Sequence, residues 1–205
     1  MANKREILVP EGFYHIYNRA NANDQLFTEE DEYSIFLKKY LYYSNLIFKT
    51  YGYCLLTNHF HFLVQVRSEF ELNRHIGLFK DDKSRSNYLA QHLGNFFNWY
   101  ATYFNKKHFR KGSLFIHSFH RKPILDQTYL ISAICYIHAN PIRAGLSERL
   151  DEWKFCSFRE FVLKSTYLAK ENKDLLMEYF DGIDNFIEVH NQYVKLPKEQ
   201  ETVQK

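Results

Sequence analysis

Hydrophobic and polar positions change period several times along the chain, and each change marks an element. Phe13-Tyr14-His15-Ile16-Tyr17-Asn18 alternates and is rich in β-formers, which predicts a strand running into a polar loop from Arg19 to Gln25. Thr28, with Asp31 three residues later, reads as a helix start, and Tyr33, Phe36, Leu37, Tyr40, Leu41 and Ile47 continue at helical spacing to about Lys49. Tyr51 to Leu56 predicts a second strand and His59 to Val66 a third. With only the turn-forming Thr57-Asn58 between them, the two must pair as a tight antiparallel hairpin. A long amphipathic helix follows from about Ser84 to Asn105, with Leu89, Leu93, Phe96, Phe97, Tyr100 and Phe104 on one side. Leu114 to Ile124 reads as a fourth strand region. Asp126 then caps a helix through Tyr129, Leu130, Ile134 and Tyr136 that Pro141 should stop.

The order βαββαβ followed by a further helix predicts an α+β fold, a ferredoxin-like antiparallel sheet with helices packed on one face. An apolar knot, Trp153 to Phe158, closes this unit at about residue 160. Residues 161–205 read as a C-terminal helical extension with a polar tail, and no internal repeat is present. At roughly 150 residues per domain, 205 residues suit one domain with extensions. No stretch approaches the roughly 20 apolar residues of a membrane helix, and the start of the chain lacks the apolar run of a signal peptide, so a cytoplasmic protein without membrane contact is expected. Cys54, Cys135 and Cys156 lack any CxxC spacing and are expected to be buried thiols rather than disulfides or zinc ligands.

Charge changes the picture more than composition does. The net +3 conceals a segment, residues 74–122, with ten basic and two acidic residues, while the segments before and after it carry −2 and −3. The same segment holds rings such as Phe96, Phe97, Trp99, Tyr100, Tyr103, Phe104 and Phe109. Cations interleaved with rings suit a phosphate backbone and unstacked bases, although a solvated helix face over a core has the same composition. Arg19, Lys106, Lys107, Arg110, Lys111, Arg121 and Lys122 are the candidate DNA-binding residues, and His117 and His120 could also reach phosphate.

Two positions carry candidate chemistry. His59 and His61 are one residue apart on a predicted strand, so both imidazoles leave from one face while Phe60 and Phe62 point to the other. That suits a metal, and two unrelated surface histidines would look the same. Zinc is disfavoured, because neither an HExxH helix nor a cysteine cluster supplies further ligands. In Tyr136-Ile137-His138-Ala139-Asn140-Pro141 the phenol of Tyr136 and the amide of Asn140 stand one helical turn apart, and two imidazoles plus an amide oxygen would suit Mg²⁺ or Mn²⁺. Spacing alone leaves Tyr136 equally readable as a packing ring. Asn18 and Asn58 could steer phosphate or orient His59, or serve only as turn residues.

Three ordered runs settle the expectation. Tyr14-His15-Ile16-Tyr17-Asn18-Arg19, then Tyr53-Cys54-Leu55-Leu56-Thr57-Asn58-His59-Phe60-His61-Phe62-Leu63-Val64, then Tyr136-Ile137-His138-Ala139-Asn140-Pro141-Ile142-Arg143-Ala144-Gly145-Leu146 resemble the IS200-like tyrosine transposases of the HUH superfamily, above all the REP-associated tyrosine transposases. The resemblance spans roughly residues 11–160, with Thr57 where such proteins often carry proline. It implies a catalytic domain over residues 1–160, a divalent ion on His59 and His61 with Asn140 as a further ligand, and Tyr136 as nucleophile. The implied activity is cleavage and rejoining of hairpin-containing single-stranded DNA through a 5′-phosphotyrosine, by a monomer or a homodimer. No nucleotide cofactor is expected, in keeping with the lack of a GxxxxGK[ST] loop. The alternative is a domesticated relative that holds structured nucleic acid without cutting it.

Overall fold

Four strands pair antiparallel in the order β2-β3-β1-β4, where β1 is Phe13–Arg19, β2 Phe48–Leu56, β3 His59–Val66 and β4 His120–Ile124. The computed structural model describes residues 6–22, 24–116, 118–163 and 167–197; His117 and the end of the polar tail lie outside them. The helices are α1 (Glu30–Ser44), α2 (Glu69–Ile76), α3 (Asp82–Lys107), α4 (Gln127–Arg143), α5 (Phe158–Val162), α6 (Lys170–Glu178) and α7 (Ile183–Val194). This is the expected α+β fold, and no helix among the described residues is long and apolar enough to cross a membrane. All three cysteines are buried free thiols.

Strand alternation sorts the interior into two cores. Tyr14, Ile16, Tyr53, Leu55, Phe60, Phe62, Val64 and Val66 face α1 and α3, with Phe36, Tyr40, Phe96 and Tyr100 packed against them. Cys54, Leu56, Leu63 and Ile124 face the other way, onto Ile134 and Ile137 of α4 and the Phe180, Phe186 and Tyr193 side chains of the C-terminal segment. The expectation of helices on one face therefore holds for α1 and α3 and is too narrow as a whole: α4 lies on the opposite face. β3 requires this, because a strand buried on both sides leaves Leu63 exposed unless something covers it.

Several boundaries also move. Helix α1 ends at Ser44, because Phe48 pairs with Val66 and draws the residues before Tyr51 into the sheet. Its cap is Glu29 in a capping box with Glu32, and Thr28 donates to the Glu32 carboxylate from just outside. The fourth strand region narrows to β4, with Phe115 reduced to a single bridge to Ala20. Helix α4 begins at the expected Asp126 cap and passes Pro141 by two residues. Pro141 has no N–H for the Ile137 carbonyl, yet the helix runs on to Arg143, and Gly145, at φ +70°, ends it while Leu146 N–H returns to the Pro141 carbonyl.

Two devices seat α4. A β-bulge between Thr50 and Gly52 places Gly52 opposite Leu63, beneath the helix. A Cβ at Gly52 would fall 2.2 Å from Ile134 Cδ1, so glycine leaves room for the end of the Ile134 side chain where α4 approaches β2. The second device is a buried polar chain. His190 Nδ1 donates to the Phe186 carbonyl (2.7 Å), His138 Nδ1 lies 2.9 Å from His190 Nε2, and Ser157 Oγ lies 2.8 Å from His138 Nε2 while accepting from Tyr53 N–H (2.8 Å). A carbonyl at one end can only accept and an amide at the other can only donate, so with both rings neutral each proton points from β2 towards α7. The Tyr53 carbonyl, 3.1 Å from Ser157 Oγ, competes for the same hydroxyl proton. Giving it that proton would require one of the two rings to be doubly protonated, and burial holds His138 well below its ordinary value and pushes His190 down to about 4.

Gly52→Ala should destabilise the fold by about 1–3 kcal/mol, read by denaturant unfolding. Ile134→Val in the same chain removes the colliding methyl and should recover part of the loss; equal stability of Gly52→Ala and the parent would show that α4 does not depend on this contact. Burial also holds His138 well below its ordinary value, with His190 adding to it, so the folded state favours both rings neutral. Each ring's contribution is complete above about pH 6.5 and fades as the pH falls towards the folded-state value, at a slope of up to about 1.4 kcal/mol per pH unit. Unfolding free energies at pH 7.5 and pH 5 should differ by more than 1 kcal/mol on this ground, and a flat profile would remove the neutral chain.

Candidate active site

The face of the sheet beneath and beside α4 is built in rungs. Arg19 stands opposite His59; Tyr17 stands between His61 and His120; His15 stands between Leu63 and Lys122. Residues two apart on a strand share a face, so His15, Tyr17 and Arg19 of β1 join His59 and His61 of β3 on the α4 side. The His59 and His61 rings lie 5.1 Å apart at 89°. Tyr136 reaches down from α4 with its ring edge-on to both His61 (5.4 Å) and His15 (5.8 Å). Chain segments more than seventy residues apart thus place a phenol against the imidazole pair.

Both histidines are held through Nδ1. His59 Nδ1 lies 2.7 Å from Asn58 Oδ1, so Asn58 orients the ring as the sequence suggested it could. His61 Nδ1 lies 2.9 Å from His15 Nε2. His61 Nε2 is buried with no hydrogen-bond partner, and that orphan is a costly arrangement for a structural histidine and a suitable one for a ligand. Protonation is also set for ligation. Burial, then Arg19, pushes His59 down to about 4; burial, then His15 and His59, holds His61 well below its ordinary value; burial, then Lys122, pushes His15 down to about 3. All three rings are neutral near pH 7, the form in which imidazole binds metal.

Asn140 sits one turn past Tyr136 and is buried, and its Nδ2 donates to the Tyr136 carbonyl at 2.8 Å. That bond fixes which way the amide faces and leaves Oδ1 uncommitted among the described residues. Asn140 makes no hydrogen bond to either histidine. The ligands expected for a cation are therefore still the two imidazole Nε2 atoms and the Asn140 amide oxygen, with no hydrogen bond joining Asn140 to the pair. A second group of potential ligand atoms, Glu29, Glu32 and His108, lies where α1 meets the end of α3. Lys107 Nζ is already 3.1 Å from Glu29 and 3.3 Å from Glu32, so an ammonium already pairs with both carboxylates of that cluster.

The basic residues divide. Arg19 and Lys122 lie on the histidine face, whereas Arg121, opposite Ile16, faces a groove of about 1120 Å³ between α3 and residues 112–121. Lys106 and Lys111 are exposed near the end of α3. Lys107 is spent on Glu29, Asp31 and Glu32, and Arg110 on Asp24. Tyr100 and Tyr103 belong to α3, across the sheet from the histidines, and Tyr100 is buried with its hydroxyl donated to the Leu26 carbonyl. Sequence reasoning missed His15 and Tyr17 as parts of this site. The signal was present: Tyr14 to Asn18 alternates as β3 does, and its pairing with β3 puts His15 and Tyr17 beside His61.

Neither protein-family models nor curated proteins give a match to the chain. Among solved structures, the fold is similar to that of a REP-associated tyrosine transposase bound to a REP hairpin. The TM-score is 0.58 with 17% sequence identity, over 80% of this chain and 87% of the other. At that identity the likeness is one of fold.

Proposed function

We propose that this protein is a DNA strand-transfer enzyme of the IS200-like type, cutting and rejoining hairpin-containing single-stranded DNA through a covalent tyrosine intermediate. One observation carries the reading: the Tyr136 ring meets His61 and His15 on the sheet face that also carries His59. The likeness of the fold to a hairpin-bound tyrosine transposase supports it.

In this reading His59 and His61 through Nε2, with Asn140 through Oδ1, hold Mg²⁺ or Mn²⁺, which when bound polarises the scissile phosphate and offsets its developing charge. Asn58 and His15 keep the two rings turned with Nδ1 away from the site. Arg19 and Lys122, one rung to either side of Tyr17, draw the strand's phosphates onto this face; Lys106, Lys111 and Arg121 extend the positive field towards the double-stranded stem. Tyr136 Oη attacks phosphorus, the phosphotyrosine forms on the 5′ side, and the 3′ oxygen leaves as a free hydroxyl. Reversal by a 3′-hydroxyl rejoins the strand, because the bond energy is kept in the phosphodiester. The α4 helix that carries Tyr136 comes from the same chain as the histidines here.

Incubation with end-labelled hairpin DNA and Mn²⁺, followed by a denaturing gel, should show a covalent band for the parent protein. The band should be lost in Tyr136→Phe, which keeps the ring and should bind the DNA with near-parent affinity. His59→Ala should reduce the band by about 100-fold or more, with binding retained through phosphate contacts. His61→Ala needs its fold checked by circular dichroism, because His61 is buried. Tight binding with no adduct from the parent would favour the non-cleaving nucleic-acid-binding protein, and an undiminished adduct from Tyr136→Phe would remove the nucleophile.

A further inference from the structure

We propose that Tyr17 and His120 form a stacking platform for one unpaired base of the DNA strand, at the far end of the ring ladder that starts against Tyr136. This rests on the reading of the protein as a single-strand DNA enzyme and adds a subsite to it.

The rung His61–Tyr17–His120 crosses three strands in register, from the α4-covered interior to the edge of the sheet. Its rings form a continuous ladder. His15 and Tyr17 lie 4.9 Å apart at 33°, and Tyr17 and His120 lie 5.0 Å apart at 12°, a near-parallel stack. The ladder starts against Tyr136, through His15, and ends at His120. His120 is exposed and begins the edge strand β4, and among the described residues it has Tyr17 as its one ring partner and no hydrogen bond to its imidazole. Among the described residues the outer face of the last ring therefore meets no other ring, and every nucleobase has a π-face that can extend the stack.

Charge selects the occupant. Arg19 and Lys122 are on the same face as Tyr17, each two residues along its own strand from a member of the stacked pair. A ring pair bracketed by two cations fits a nucleotide, with the base on the rings and the adjoining phosphates on the cations. Helix α4 bounds the site on the remaining side, where Lys122 Nζ lies 5.6 Å from the Tyr129 ring. A stacked base would anchor the strand on this face of the sheet, and would do so with little sequence preference.

The test uses the Tyr136→Phe protein, which cannot cut, and a hairpin DNA with single-stranded flanks in which each flanking base in turn is replaced by an abasic site. One position should be sensitive, losing affinity about tenfold, and His120→Ala with the intact DNA should lose about as much. His120→Phe should restore it. In His120→Ala the abasic substitution at that position should cost nothing further, the mark of one shared contact. A 2-aminopurine at that position should be quenched by the parent and not by His120→Ala. Losses that simply add, or a flank with no sensitive position, would overturn the platform and leave the enzyme reading standing. A protein that binds no hairpin DNA at all would overturn both.

Discussion

Everything in the candidate site depends on β3 being buried on both faces while placing imidazoles on one of them. Phe60, Phe62, Val64 and Val66 fill the core under α1 and α3; His59, His61 and Leu63 face α4. Side chains alternate strictly, so a one-residue slip of register would drive the histidines into the aromatic core and turn four large apolar side chains the other way. Pairing with β1 on one side and β2 on the other forbids that slip. The same register brings His15 and Tyr17 of β1 alongside His61 and leaves Arg19 and Lys122 at the margins.

Burial then sets the chemistry. Three imidazoles crowded under a helix cannot all be charged, and desolvation together with the neighbouring cations and rings keeps them neutral. A neutral histidine with Nδ1 engaged and Nε2 unpartnered is ready for a ligand role. Tyr136 has to be brought to that face by a separate element, and α4 is seated accurately by two unrelated means: a glycine that removes a Cβ, and a polar chain that runs from β2 through His138 to α7. The C-terminal helices thereby take part in holding the phenol, although none of their residues touches it in the described ring contacts.

Local pattern made much of this legible and long-range pairing hid the rest. The hairpin, the exact span His59 to Val66, the Asp126 cap and the one-turn spacing of Tyr136 and Asn140 all follow from neighbours in sequence. The end of α1 did not, since Tyr40, Ile47 and Phe48 fit a helical or a strand period equally until Phe48 finds Val66. Helix α2 is too short to show a period, and the placement of α4 across the sheet depends on Leu63 needing cover. His15 and Tyr17 acquire meaning only through pairing with a strand more than forty residues away. The His138–His190 contact closes a gap of 52 residues that no local rule could bridge.

Tyr17 is also the structural rival to the proposed nucleophile, because its ring lies 6.0 Å from that of His61, not far beyond the 5.4 Å of Tyr136. Position separates the two: Tyr17 stands side by side with the imidazoles in the sheet, whereas Tyr136 descends on them from the opposite layer, as attack on a phosphate held between the layers requires. The decisive measurement is mass-spectrometric mapping of the covalent adduct formed by the parent protein with hairpin DNA. The account predicts a nucleotide phosphate on the peptide containing Tyr136, at that residue; the same modification on Tyr17, or on any other tyrosine, would contradict it.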